Sequence, residues 1–140
     1  MRIILLIMIG FSSLVFADFT KNGDIVTDNK TGLQWQDNAD ASTTTKIWTD
    51  AINYCENLTL DGYSDWRLPN INELKSIVDR SKSNSAIVDG FANFSSSFYW
   101  SSTSFVGYED SAWYVNFNRG YVNYDPKYYN YYVRCVRAGQ

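Results

Sequence analysis

Trp66-Arg67-Leu68-Pro69-Asn70-Ile71-Asn72-Glu73-Leu74 marks an abrupt change of backbone state. Pro69 biases Leu68 away from helical angles, so the chain must arrive extended. Asn70 followed three residues later by Glu73 reads as a capping box. The Asn side chain accepts from the Glu73 amide while Glu73 reaches back to the cap. Ile71, Leu74, Ile77 and Val78 then repeat at helical spacing and form an apolar stripe. Arg67, at the entry, can bond carbonyls or pair with Asp65 or Glu73. Trp66, Arg67, Asn70 and Glu73 are therefore read as architecture.

Upstream, Trp48, Ala51, Ile52, Cys55 and Leu58 share one face of a second helix over residues 48–58, with Thr45 or Thr49 as its cap and Asp61-Gly62 as its stop. Residues 37–46 read as a polar loop. Residues 25–28 and 33–36 read as short strands joined by the turn Asn29-Lys30-Thr31-Gly32. Residues 18–24 read as a loose lead-in. Downstream, residues 81–85 are a polar linker. Residues 98–103, 112–117, 121–124 and 131–137 are strand candidates rich in Tyr, Phe, Val and Trp. Asn118-Arg119-Gly120 and Asp125-Pro126-Lys127 supply turns. Strands, two helices and a meander in that order predict an α+β fold on a largely antiparallel sheet.

Composition narrows the chemistry. In 140 residues, aromatics reach 17%, with five Trp, eleven Tyr and eight Phe, which suits strands and binding surfaces. Histidine is absent, which removes His-based acid–base chemistry and nearly all zinc sites. Net charge is −3, so there is no global basic footprint for nucleic acid.

Residues 1–17, MRIILLIMIGFSSLVFA, read as a signal peptide. Arg2 is followed by an apolar run, and Val15-Phe16-Ala17 fits cleavage before Asp18. That leaves residues 18–140 as a single exported domain, secreted or periplasmic, with no membrane insertion after cleavage. In such a chain Cys55 and Cys135 read as one disulfide tying an early helix to the last strand. Two free thiols or a redox pair are the alternatives, the latter disfavoured by the lack of a C-x-x-C.

Six segments appear in order: Thr31-Gly32-Leu33-x-Trp35, Ala51-x-x-Tyr54-Cys55, Trp66 through Leu74, Tyr99-Trp100-Ser101-Ser102-Thr103, Ala112-Trp113-x-Val115-x-Phe117, and Val133-Arg134-Cys135-Val136-Arg137. Together they resemble the Lcl C-terminal domain family, named for the terminal domain of a bacterial collagen-like surface adhesin. The Trp-Arg-Leu-Pro and Arg-Cys-Val-Arg blocks are more distantly similar to the formylglycine-generating sulfatase-modifying domain. Both families are related to the C-type lectin-like fold. The resemblance implies two helices on a twisted antiparallel sheet and a disulfide from first helix to last strand. No collagen-like stalk is present. Both cysteines match structural positions, so no catalytic cysteine pair carries over. The Glu-Pro-Asn and Trp-Asn-Asp motifs of calcium-dependent lectins are missing as well.

Each candidate site has an ordinary structural role as its rival. One of Arg134 and Arg137 is expected to pair with an acid inside the fold, with ligand binding as the alternative role. Asp24, Asp28, Asp37 and Asp40 lack calcium-loop spacing and read as scattered surface acids, so no metal or other cofactor is expected. Glu56, Glu73 and Glu109 show no recognisable glycosidase dyad. The segment YVNYDPKYYNYY, residues 121–132, mixes Tyr with Asn, Asp and Lys as recognition surfaces do. Tyr121, Tyr124, Tyr128, Tyr129 and Tyr132 are the ligand-binding candidates, with Arg119 and Lys127 as adjoining cations. Packing of the sheet is the competing role for these tyrosines. The functional expectation is a non-catalytic recognition domain for an extracellular polysaccharide or protein. A structural subunit of a surface assembly, with homo-oligomers, and an enzyme derived from the formylglycine-generating fold are the alternatives.

Overall fold

The computed structural model describes Gly10 and residues 18–139; the signal-peptide reading otherwise lies outside the described residues. A four-stranded sheet is built from β1 (Phe19–Asn22), β2 (Ile25–Asp28), β3 (Gln34–Gln36) and β9 (Val136–Arg137), in the order β1-β2-β3-β9. A five-stranded sheet has the order β4-β8-β5-β6-β7. Its strands are β4 (Thr45–Lys46), β5 (Phe98–Phe105), β6 (Tyr108–Asn116), β7 (Tyr121–Pro126) and β8 (Tyr131–Tyr132). All pairings are antiparallel except β5 with β8, where Tyr99 lies beside Tyr132 in parallel. Three short helices complete the described chain: α1 (Asp40–Thr43), α2 (Trp48–Glu56) and α3 (Ile71–Lys75).

The fold is thus α+β, mainly antiparallel, with one disulfide. Cys55 in α2 is bonded to Cys135, their Cα atoms 5.4 Å apart and both fully buried. The bond lies among Ala51, Trp66, Leu68, Trp100 and Val133 in one hydrophobic core. A second core gathers Val26, Trp35, Leu74, Ile77, Tyr99, Val115, Phe117 and Val136. Neighbours in sequence divide between the two: Ile25 and Val26, Tyr99 and Trp100, Tyr114 and Val115, Cys135 and Val136. Successive strand residues point to opposite faces. A strand covered on both faces therefore needs consecutive apolar residues rather than alternating ones. Helix α2 packs into the first core and α3 into the second.

Several expectations are corrected. Residues 18–24 are not a loose lead-in, because Phe19–Asn22 pairs with β2 as an edge strand. Residues 37–46 hold α1 and β4 rather than a plain loop. The N-cap of helix α2 is Ile47, which provides no side-chain cap, so neither Thr45 nor Thr49 serves. The run 131–137 is not one strand. Tyr131–Tyr132 joins the five-stranded sheet, Val136–Arg137 joins β3, and the buried residues 133–135 cross between them. The described residues hold three helices where two were expected.

The Trp66–Leu74 block is anchored at each step. Trp66 is buried and its indole N–H donates to the Tyr63 carbonyl at 3.0 Å. Arg67 exchanges two backbone hydrogen bonds with Val136, at 2.9 and 2.8 Å. Asn70 Oδ1 accepts from the Glu73 amide at 2.8 Å, and Glu73 Oε1 accepts from the Asn70 amide at 3.0 Å, completing the capping box.

Candidate recognition surface

Strands β5 and β6 project a hairpin whose tip is Val106-Gly107. Their pairing shifts register twice between Trp100 and Phe105. Such irregularities bend a strand and re-aim its side chains. Phe105 is swung onto Tyr124 of β7, with ring centroids 3.8 Å apart and planes within 8°. Trp113 stands edge-on to both, at 5.4 Å from Phe105 and 5.5 Å from Tyr124. Tyr108 stacks on Phe105 at 6.0 Å and is 67% exposed, and Val106 is 98% exposed. A Cβ at Gly107 would lie 2.7 Å from Phe105 Cε1, so any larger residue at this tip would force that ring to shift.

Lys127 sits at the same end of the sheet. Its ammonium lies 4.0 Å from the centre of the Trp48 ring and donates to the Glu109 carbonyl at 2.5 Å. Its backbone N–H donates to the Asp110 carbonyl at 2.8 Å. Trp48 is oriented by its indole N–H, which donates to the Ser101 carbonyl at 2.8 Å. Beyond Lys127, Tyr128 (72% exposed) and Tyr129 lie 5.1 Å apart, ring to ring. Tyr129 stacks on Tyr131, which packs against Phe98, Trp100 and Tyr114. The Tyr131 hydroxyl donates to Asp125, and burial together with that carboxylate pushes its pKa well above the ordinary phenol value.

The 121–132 segment is therefore not one surface. Tyr121 lies at the far end of β7, its ring 5.8 Å from the Arg80 guanidinium, and Arg119 is exposed in the adjoining turn. Tyr132 turns inward and stacks on buried Tyr99 at 5.4 Å. Tyr124 stays in the hairpin stack. Lys127 bonds Glu109 at the same end but covers Trp48, and Tyr129 stacks on Tyr131 against Tyr114, whose side chain points to the sheet face opposite Trp113. Phe105, Val106, Tyr108 and Trp113 join Tyr124, and the sequence reading missed all four. Their one available signal was Phe105-Val106-Gly107-Tyr108, an apolar run broken by glycine at a strand end.

The structural arginines are each paired. Arg67 grips Glu73 with two hydrogen bonds of 2.6 and 2.7 Å, which raise the Arg67 pKa and hold the Glu73 carboxyl below its usual range. Arg137 binds Asp65 at 2.6 and 3.2 Å. Arg134 is buried and reaches Asp37 at 3.2 Å. Asp37 is fully buried too and Asp28 nearly so, which corrects their reading as surface acids. Asp37 accepts from the amides of Ala92 and Asn93, at 2.9 and 3.0 Å, and from Lys21 at 2.7 Å. Asp28 accepts from the Lys30 amide at 2.9 Å and so holds the β2–β3 turn. Among the described residues no group of three or more His, Cys, Asp or Glu side chains converges to hold a metal ion.

The family model for the Lcl C-terminal domain matches residues 24–137. The chain belongs to the Lcl C-terminal domain family. The match takes in both cores, the disulfide and the aromatic hairpin end of this Lcl C-terminal domain. No curated protein gives a significant match.

Proposed function

We propose that this Lcl C-terminal domain is a non-catalytic recognition module, exported on residues 1–17, that binds an extracellular polysaccharide at its hairpin end. The observation carrying this reading is the fixed stack of Phe105 on Tyr124, flanked by Trp113 and Tyr108. Rings locked by one another lose little entropy on binding and offer flat faces to the apolar faces of sugar rings. Lys127 bonds the Glu109 carbonyl of β6 at the same end, and the exposed Tyr128 follows it in the chain. The non-catalytic part rests on chemistry: the sequence has no histidine, and both cysteines are spent in a disulfide. A C-type lectin-like ancestry fits the helix-to-C-terminus disulfide and the capped helix after Arg67-Leu68-Pro69.

The test is a glycan and matrix-protein array read with wild type, Tyr108→Ala and Tyr128→Ala, with and without chelator. Polysaccharide binding that weakens about 30-fold in either variant, at unchanged thermal stability, is expected of an interfacial hot spot. Chelator should change nothing. Binding confined to matrix proteins would shift the ligand class, and binding indifferent to both substitutions would remove the hairpin end as the site.

A further inference from the structure

On the four-stranded sheet, away from the hairpin, a groove of about 220 Å³ is lined by Asn22, Ile25, Thr27, Gln34, Asp61 and Tyr63. The strand register places these groups together: Asn22 lies opposite Ile25, and Thr27 opposite Gln34. The Leu60–Tyr63 turn supplies the rest. Asp61 and Gly62 both hold positive φ, 51° and 82°, as a tight turn of this kind demands. The turn is tied to the sheet where Asp61 Oδ2 accepts from the Asp24 amide at 3.2 Å.

The lining is held in a fixed arrangement. Asp65 binds Arg137, whose guanidinium lies 3.7 Å from the centre of the Tyr63 ring and donates to Gln34 Oε1. That fixes the Gln34 amide, which donates from Nε2 to the Thr27 hydroxyl at 3.3 Å. Thr27 is thereby made an acceptor for Gln34, and its own proton is left to donate. The second N–H of Gln34 Nε2 is another donor, and the Asn22 amide carries both donor and acceptor. Asp61 Oδ1 supplies a charged acceptor. Ile25 and the immobilised Tyr63 ring supply apolar surface.

We infer that this groove is a second ligand site, one that takes a neutral saccharide unit through alternating donors and acceptors beside an aromatic ring. Few placed polar groups around an aromatic wall are what a small-molecule site requires. The Arg137 charge is already met by Asp65, while Asp61 stands uncompensated by any described ion pair, so an anionic sugar is disfavoured. This site is independent of the hairpin end and stands or falls separately.

The experiment is amide-resolved NMR titration of the disulfide-bonded domain with glucose, galactose, mannose and N-acetylglucosamine, and with glucuronate as the anionic control. At least one neutral sugar should move the Thr27, Asp61, Gly62 and Tyr63 amides saturably, and glucuronate should move them less. Thr27→Val and Asp61→Asn keep shape and backbone preference, and each should weaken binding about tenfold by removing one hydrogen-bonding group. The variants' own spectra report that the fold is kept. Amides that stay still with every neutral sugar overturn the inference, as does undiminished binding by both variants. Shifts confined to Tyr108, Trp113 and Tyr124 would overturn it while supporting the hairpin end.

Discussion

Phe105 lies flat on Tyr124, 3.8 Å from centroid to centroid, although the two belong to strands separated by β6. Phe105 therefore reaches across Trp113 to its partner and adds a side-chain hold between β5 and β7, which share no ladder, while β6 pairs with β7 directly. Phe105→Ala should remove that hold. The ring is partly exposed, so the cost should fall below that of a fully buried Phe, at about 1–2 kcal/mol in urea unfolding. Near-ultraviolet circular dichroism should lose aromatic signal, and hydrogen exchange should quicken at residues 104–110. A variant as stable and as protected as wild type would show the stack to be incidental.

The disulfide closes a separation of 80 residues and lies in the first core. Natively folded protein should carry no thiol that can be alkylated, and unreduced mass should fall two protons short of the reduced chain. The Cys55→Ala, Cys135→Ala double variant should lose about 2–5 kcal/mol. Full stability in the double variant would mean that the packing around Trp66 and Trp100 suffices alone.

Asp37 and Arg134 are both buried, and Asp37 also holds the amides of Ala92 and Asn93. Removing Asp37 strands the Arg134 charge in the interior, whereas removing Arg134 leaves Asp37 still paired with Lys21 at 2.7 Å. Asp37→Ala should cost about 3–5 kcal/mol, Arg134→Ala less because Lys21 still holds Asp37, and the double variant should cost less than their sum. Additive losses in a double-mutant cycle would show that the pair acts as two separate anchors.

The sequence showed what local rules govern. The capping box at Asn70, the turn before Gly32 and the Cys55 face of α2 depend on residues a few positions apart, and each lies where those rules put it. What it hid is set by distant partners. Phe19-Thr20-Lys21-Asn22 is mostly exposed and becomes a strand only because β2 is beside it. The run from Tyr131 to Arg137 is uniformly strand-like, and nothing in its period says that it changes sheets at Val133. Asp37 looks like any loop acid because Arg134 is 97 positions away. The density of tyrosines in 121–132 drew attention to one segment. The aromatic surface is assembled instead from β5, β6 and β7, after register shifts that leave no periodic mark.

Acid should loosen the Trp66–Leu74 block in a defined direction. The Arg67 hydrogen bonds, and to a lesser degree the Asn70 amide, hold the folded Glu73 carboxyl below its ordinary value of 4.5. A depressed folded pKa contributes stability above the unfolded value and loses it as pH falls through the folded one. The pair is partly solvent-exposed, so its worth is small, about 0.5–1 kcal/mol at neutral pH. Asp65, through Arg137, and Asp79, through Ser81, are depressed in the same sense, so the overall acid sensitivity of the protein is not that of Glu73 alone. The difference between wild type and Glu73→Gln isolates Glu73, because Asp65 is present in each. Urea unfolding from about pH 7 to about pH 3 should show wild type ahead at neutrality, with the gap closing once Glu73 takes up its proton. A gap that stays constant across that range would mean that the carboxylate charge contributes nothing and that the capping geometry alone holds the helix entry.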